Sequence, residues 1–424
     1  MEELLSSQCM FYSMTETFSN FTQMRNHMDE EVDVPSLDRA LQTTILRYPY
    51  FKVKLVRKGE ELFLAENRKP LLIYPDVESP TMAPEKNNDY LFRISAAGDI
   101  INISFCHAIS DGGGIMPFIK TLLHYYFVCK LGEESGASDL RLSGDPVPPL
   151  EVRDYLLDFK PDPDVLVLPQ KDSEVFSLPV QVDPSGARHV FLFTLDSRAF
   201  MKYSHEIDGS PNALMALFMA RAVRKVHPQE DHIVAGVAAN YRKASGNLYG
   251  YQCNVGLLKL RYLPKMDSMD ISTCATCFRG GIILQSDDSV VKRSLAGAQQ
   301  LCRYIKSLKT LEEKCEVSWN VVLKGSSGDT FTVSYVGKQD FGKISSHIRF
   351  MEAVVDGIGS HMAVEIMCIG GNFFITVTQD FADPVYVKEM VKEMEAEGIH
   401  CEGFREETVP YEDGPVPLKI AEDV

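Results

Sequence analysis

Apolar residues at Leu37, Ala40, Leu41, Ile45 and Leu46 recur at helical spacing behind Pro35, which predicts a helix from Pro35 to Tyr48 with proline in its first turn. The period then changes. Phe51 to Val56 and Glu61 to Ala65 read as short strands joined by a turn at Lys58-Gly59-Glu60. A second hairpin is expected from Leu91 to Phe105, turning at Gly98-Asp99, and Ile101, Ile103 and Phe105 alternate onto one face of its second strand. That strand runs directly into His107. Beyond three glycines, an apolar helix is predicted from Ile115 to Leu131, stopped by Gly132.

Residues 133 to 187 lack a regular pattern and carry Pro146, Pro148, Pro149, Pro161, Pro163, Pro169 and Pro179, so they read as a linker. The second half repeats the same kinds of element. Val190 to Leu195 is an expected strand. Ser210-Pro211 opens a helix through Val226, with Ser210 as N-cap. Strands are expected at His232 to Asn240 and Val255 to Leu263, then a basic helix from Val290 to Leu311. Four strands follow: Phe331 to Val336, Ile348 to Val355, Met362 to Ile369 and Phe373 to Gln379. A helix from Pro384 to Glu397 is closed by Gly398, and the last twenty residues, acidic and proline-containing, read as a surface tail. The whole is mixed α/β.

A chain of 424 residues exceeds one ordinary core, and two domains are expected, 1–180 and 181–424. The formal net charge of -16 argues against a nucleic-acid partner, which needs a dense basic face. No run approaches the roughly 20 apolar residues that span a bilayer. The start, Met1-Glu2-Glu3-Leu4-Leu5, lacks the basic and apolar regions of a signal peptide. Ten scattered cysteines fit reduced thiols in a cytoplasm. Cys274 and Cys277 stand alone as a Cys-x-x-Cys without a second ligand pair, so no metal site is expected.

The segment His107-Ala108-Ile109-Ser110-Asp111-Gly112-Gly113-Gly114 carries the candidate chemistry. It joins a strand end to a helix start, where a rigid scaffold presents reactive groups. A neutral imidazole takes a proton from an attacking hydroxyl or amine near neutral pH. Asp111 suits a structural role better, capping the helix and pairing with a cation elsewhere. The glycines permit positive φ and close approach to the backbone. A bland alternative is a histidine buried at a strand end. His227 and Asp231 share the same spacing but sit in a polar turn with no glycine after them, and are read as a decoy.

The stretch Ser104 to Gly113 closely resembles the His-x-x-x-Asp-Gly motif of the CoA-dependent acyltransferase superfamily, which includes chloramphenicol acetyltransferase, alcohol acetyltransferases, plant BAHD enzymes and peptide-synthetase condensation domains. Asn240-Tyr241-Arg242 resembles that family's Asn-x-Arg segment. Ser334-Tyr335-Val336-Gly337 resembles its Ser-Asn-x-Gly strand end, with tyrosine in place of asparagine. Asp340-Phe341-Gly342 is similar to the Asp-Phe-Gly of the plant enzymes but lacks the Trp-Gly that follows there.

The resemblance implies two similar α/β halves forming a V around a tunnel, with His107 as general base. Asp111 would pair with Arg242 beside Gly112 and Gly113, while Asn240, Ser334 and Tyr335 would line the tunnel or meet the transition state. It implies no metal or bound cofactor, an acyl-CoA co-substrate, and a monomer. Lys292, Arg293, Arg303, Lys306 and Lys309 on the expected basic helix are candidates for the CoA phosphates, although a solvated helix face explains them equally well. The acceptor expected first is a small or medium alcohol, with an amine second. Three readings stand beside this one: a condensation enzyme fed by an acyl carrier protein, a non-catalytic binding or docking member of the fold, and a protein that binds a hydrophobic ligand between its halves without chemistry.

Overall fold

The structure, a computed structural model, describes residues 2–14, 21–76, 87–160, 174–326, 328–355, 360–410 and 421–422. In chain order the first half runs β1 (Glu2–Glu3), a 3-10 segment (Ser6–Met14), β2 (Phe21–Met28), α1 (Val34–Thr44), β3 (Val53–Lys58), β4 (Glu61–Glu66), β5 (Ile73–Tyr74), β6 (Phe92–Ala97), β7 (Ile100–Cys106), α2 (Gly112–Leu131) and α3 (Pro149–Val152). The second half opens with β8 (Arg188–Asp196), α4 (Ser197–Glu206), α5 (Pro211–Val226), β9 (Ile233–Asn240), β10 (Val255–Tyr262), α6 (Ile271–Gln285), α7 (Asp288–Ser307) and α8 (Leu311–Ser326). It closes with β11 (Phe331–Lys338), β12 (Ile348–Val355), β13 (Met362–Ile369), β14 (Asn372–Gln379), α9 (Val385–Ala396), β15 (Glu402–Val409) and β16 (Ala421–Glu422).

Two main sheets organise these elements, one ordered β12-β2-β7-β6-β5 and the other β10-β9-β11-β13-β14-β8-β15, with a smaller sheet ordered β1-β4-β3-β16. Helices cover one face of each main sheet. Leu37 and Leu41 of α1, and Phe118, Ile119 and Leu122 of α2, bury against Ile101, Ile103 and Phe105 of β7. On the other sheet, Leu214 and Phe218 of α5 and Met390 of α9 bury against Val364, Ile366 and Ile375. The start of α1 is set by Asp33, whose carboxylate accepts from Ser36 N at 2.9 Å, and the end of α2 by Gly132 at φ 72°.

The uncovered faces of the two sheets look toward each other. Phe350 of β12 meets Phe374 of β14 with ring centroids 4.7 Å apart, and Arg25 of β2 reaches Glu407 of β15 at 3.2 Å. β12 belongs to the second half in sequence but pairs antiparallel with β2, Met351 opposite Asn26. This strand exchange crosses the division expected at residue 180 and ties the two sheets together covalently as well as by packing.

Some expectations need correction, and β2 was not among the expected strands: its Gln23, Arg25 and His27 are buried, and Arg25 and His27 each lie 2.9 Å from the buried Glu352 of β12. The described part of the expected linker has little regular structure beyond the short α3, but it is anchored at a few buried residues. Glu151 is buried in a bidentate pair with Arg47 at 2.8 and 3.0 Å, and the Tyr155 hydroxyl donates to the Cys253 carbonyl at 2.7 Å. Within the expected surface tail, residues up to Val409 belong to β15, an edge strand bonded among the described residues to β8 alone, with Glu406 exposed and Arg405 lying over the Phe350 ring at 4.8 Å. Ser210 occupies the cap position of α5, but its hydroxyl bonds Asn212 Oδ1 at 3.0 Å rather than a helix amide. Pro161, Pro163 and Pro169 lie outside the described residues.

Candidate active site

His107 sits where β7 ends, in a five-residue turn before α2. Asp111 closes that turn as the N-cap of α2, its Oδ1 accepting from Gly114 N at 2.8 Å. Arg242 stands just beyond β9, placed by Asn240, whose Oδ1 accepts from Arg242 N at 2.9 Å. The structure brings these two together. Arg242 Nη2 donates to Asp111 Oδ1 at 2.7 Å and Nη1 to Oδ2 at 3.0 Å. Asp111 is 1% exposed and Arg242 5%.

A buried ion pair is tolerable only when its remaining donors and lone pairs are satisfied. Here the loop between β9 and β10 satisfies them. Arg242 Nε donates to Gly250 O at 3.1 Å and Nη2 to Gln252 O at 2.8 Å, while Asn254 N donates to Asp111 Oδ2 at 2.7 Å. Ser110 Oγ donates to Tyr251 O at 2.7 Å, and the Tyr251 ring stacks on Tyr50 at 4.1 Å. The histidine turn from one half is thus held by a loop and an arginine from the other.

The three glycines give room rather than unusual dihedrals, since none of them has positive φ. A Cβ on Gly114 would lie 2.0 Å from Tyr251 O, and one on Gly113 3.1 Å from Arg242 Nη1. A Cβ on Gly112 would lie 3.2 Å from Val336 Cγ2. Because the obstacle at Gly114 is a backbone carbonyl, Gly114→Ala is expected to destabilise the protein by about 1–3 kcal/mol or more. Denaturant unfolding checks this, and a variant as stable as the parent would show that the two halves separate more easily than the packing implies.

His107 keeps partial exposure. Loss of hydration pushes its pKa below the ordinary 6.5, opposed in part by the Asp111 charge. The imidazole is therefore neutral at pH 7, the form a general base requires. Its Nδ1 lies 3.6 Å from the Cys253 sulfur, and burial pushes that thiol up to about 12, so it is neutral too. If His107 is the base, kcat/KM should fall only as pH drops below 6.5, with a midpoint under that value. Stability should move the same way: the unfolded chain takes up this proton near 6.5 and the folded chain at lower pH, so the contribution of His107 is lost as pH falls through that window. A pH–rate profile with an acid limb above 6.5 would contradict this.

The other expected residues divide. Ser334 and Tyr335 lie on opposite faces of β11. Ser334 faces the second sheet's uncovered side, opposite Glu365 in register and hydrogen-bonded to it. Burial pushes the Glu365 carboxyl up to about 7, a feature that β13's apolar run had concealed. Tyr335 points the other way, toward the helix-covered core, with its ring 5.9 Å from Phe373. This corrects the expected tunnel position for Tyr335: strand alternation turns it away. Asn240 acts within the Arg242 turn. Lys292, Arg293, Arg303 and Lys309 are exposed, and Lys306 donates to Leu4 O at 2.9 Å. Among the described residues no hydrogen bond or ion pair joins these cations to the histidine turn.

Sequence reasoning missed the 250–254 segment, whose signal was only the Gly246, Asn247 and Gly250 run of a loop. Cys106, beside His107, is buried and donates to Met14 Sδ at 3.4 Å. His227 bonds the Tyr386 hydroxyl at 2.7 Å, and its neighbour Asp231 faces Arg224. A surface cavity of about 590 Å³ lies there, away from His107. Among the described residues no cluster of His, Cys, Asp and Glu could hold a metal, and no helix is long and apolar enough to cross a membrane.

By sequence, no family model and no curated protein matches the chain. Solved structures do. Polyketide synthase associated protein 5 from Mycobacterium tuberculosis superposes with a TM-score of 0.61 at 12% identity, covering 92% of this chain and 96% of that one. TRI101 of F. graminearum, complexed with coenzyme A and deoxynivalenol, gives 0.59 at 13% identity over 93% and 97%. The condensation domain of the Monacolin K polyketide synthase MokA gives 0.55 at 12% identity over 93% and 96%. The chain therefore shares the α/β fold of these proteins.

Proposed function

We propose that this protein is an acyltransferase that moves an acyl group from an acyl-CoA thioester to a hydroxyl acceptor, with His107 as general base. The observation that carries the reading is the buried Asp111–Arg242 pair, which fixes the histidine turn at the junction of the two halves while leaving the imidazole partly exposed and neutral.

The chemistry follows from the two ring nitrogens. Nδ1 faces the Cys253 thiol, which leaves Nε2 for the acceptor. With its proton on Nδ1, the ring offers the Nε2 lone pair to the acceptor O–H. The alkoxide oxygen attacks the thioester carbonyl, the C–S bond of the tetrahedral intermediate breaks, and the departing thiolate takes the proton from Nε2. Asp111 has no place on this route, since both its oxygens are engaged by Arg242, Gly114 N and Asn254 N. It positions the turn. An amine acceptor would follow the same course to an amide.

The coenzyme A in the TRI101 structures supports a free acyl-CoA donor. The condensation-domain likeness keeps a carrier-protein donor as the second reading. Mass spectrometry after incubation with acetyl- and longer acyl-CoAs and a panel of alcohols and amines tests the proposal. Ester or amide products support it. Their absence with every acyl-CoA, alongside product formation from an acyl-loaded carrier protein, would replace the donor. Absence with both donors would leave a binding protein.

A further inference from the structure

Cys9 of the N-terminal 3-10 segment and Cys302 of α7 come from opposite ends of the chain, and their side chains hydrogen-bond to each other. Cys302 Sγ also lies 2.9 Å from Ser6 O, so its one proton has two acceptors, that carbonyl and the Cys9 sulfur. When Cys9 ionises, its sulfur becomes the stronger acceptor. Lys306 stands one helical turn beyond Cys302 on α7, and its Nζ reaches the same N-terminal segment, donating to Leu4 O at 2.9 Å.

These contacts divide the two thiols by role. The bond from Cys302 holds Cys9 below its ordinary pKa against the cost of burial, and the Lys306 charge helps. The same bond, with burial, pushes Cys302 up, so Cys302 keeps its proton. An ionisable thiol beside a protonated one is the arrangement of an attacking and a resolving cysteine. Both are buried, at 4% and 7% exposure, but both line a cavity of about 190 Å³ that reaches the partly exposed Val255 and Val321. One water needs roughly 10–15 Å³ of such space, so a small hydroperoxide has room to enter.

We propose that Cys9 and Cys302 are a redox-reactive dithiol that a hydroperoxide converts to a disulfide, fastening the N-terminal segment to α7. The Cys9 thiolate attacks a peroxide oxygen. An S–O bond forms, the O–O bond breaks, and the departing oxygen leaves as water or an alcohol after taking a proton. The Cys302 sulfur then attacks the sulfenic sulfur of Cys9. The S–S bond forms, the S–O bond breaks, and water leaves with the Cys302 proton. The two thiols lose two electrons and the hydroperoxide gains them. Nothing in this chemistry requires acyl transfer. The fastened segment also backs the histidine turn, since Met14 Sδ accepts from Cys106 at 3.4 Å and Gln8 Nε2 donates to the Tyr251 hydroxyl at 3.4 Å.

The test treats the full chain with a small excess of hydrogen peroxide, alkylates the remaining thiols after denaturation, and maps the peptides by mass spectrometry. The exposed Cys277 is the reference for simple accessibility. A Cys9–Cys302 linked peptide that dithiothreitol reverses is expected. Both cysteines recovered as free thiols once Cys277 is oxidised would overturn the proposal, as would Cys9 joined to a different cysteine. In Cys302→Ser, dimedone should trap a sulfenic acid on Cys9, and in Cys9→Ser it should trap none on Cys302. The reverse pattern would overturn the assignment of Cys9 as the attacking sulfur. The parent protein's own peptide map decides the proposal even if neither variant folds.

Fastening is read separately by melting. The bond closes a loop from residue 9 to residue 302, and long loops gain most from closure. The oxidised protein should melt about 5 °C above the reduced one, a rise that dithiothreitol removes and that Cys302→Ser never shows. A linked protein melting at or below the reduced temperature would overturn the fastening.

Discussion

His107→Ala is expected to lower turnover by about 10²- to 10⁴-fold, the range for losing a general base. The effect should fall on kcat more than on KM, because the proton leaves the acceptor only as the transition state forms. Folding should survive the change. The side chain meets the Cys253 sulfur at 3.6 Å and bonds its own backbone carbonyl, and the turn is held by Asp111 and Ser110. His107→Gln sharpens the test, since it keeps polarity and bulk but offers no basic nitrogen. Near-parental turnover in both variants, with unaltered melting, would remove His107 from the mechanism.

The second large effect concerns stability. Asp111→Ala is expected to cost about 3–5 kcal/mol, as removing one partner of a buried pair leaves the other charge uncompensated. The guanidinium would keep only the Gly250 and Gln252 carbonyls and the Asn240 side chain, while the Asn254 and Gly114 amides would lose their acceptor. Arg242→Ala should cost somewhat less, since both those amides would still donate to the carboxylate. The double variant should lose less than the sum of the two, the mark of a direct interaction. Urea unfolding of the four proteins closes this cycle. Single-variant losses under about 1 kcal/mol with additive energies would show that the pair is not a clamp.

Much of this was legible in sequence because several elements carry local signals. The bounds of β12 and β13 agree with the apolar runs at 348–355 and 362–369, and Gly98-Asp99 marks the turn between β6 and β7. What escaped was set by distant partners. β2 reads as polar because its alternate residues face the other half, where Glu352 and Glu407 receive Arg25. α6 was hidden by Gly280-Gly281 in its interior, residues of low helix propensity. The basic helix expected through Leu311 ends at Ser307, and a separate helix, α8, begins at Leu311.

The site divides the same way. His107 and Asp111 lie four residues apart on one turn, and the Arg242 partnership was implied by resemblance before its geometry was known. Cys253, Asn254 and the carbonyls of Gly250 and Gln252 were not legible at all. Backbone groups leave no trace in residue identity, and a cysteine beside a histidine 146 positions away has no local pattern. Tyr335 shows the opposite hazard. Its motif position suggested the tunnel, and strand alternation placed it in the core.

The most direct test of the central claim is acceptor-dependent release of free CoA thiol from acetyl- and octanoyl-CoA, measured for the parent protein beside His107→Ala at pH 7. Release should require an alcohol or amine and fall at least about 10²-fold in the variant. Release at the same rate from both proteins, or none from the parent with any acceptor, would contradict it.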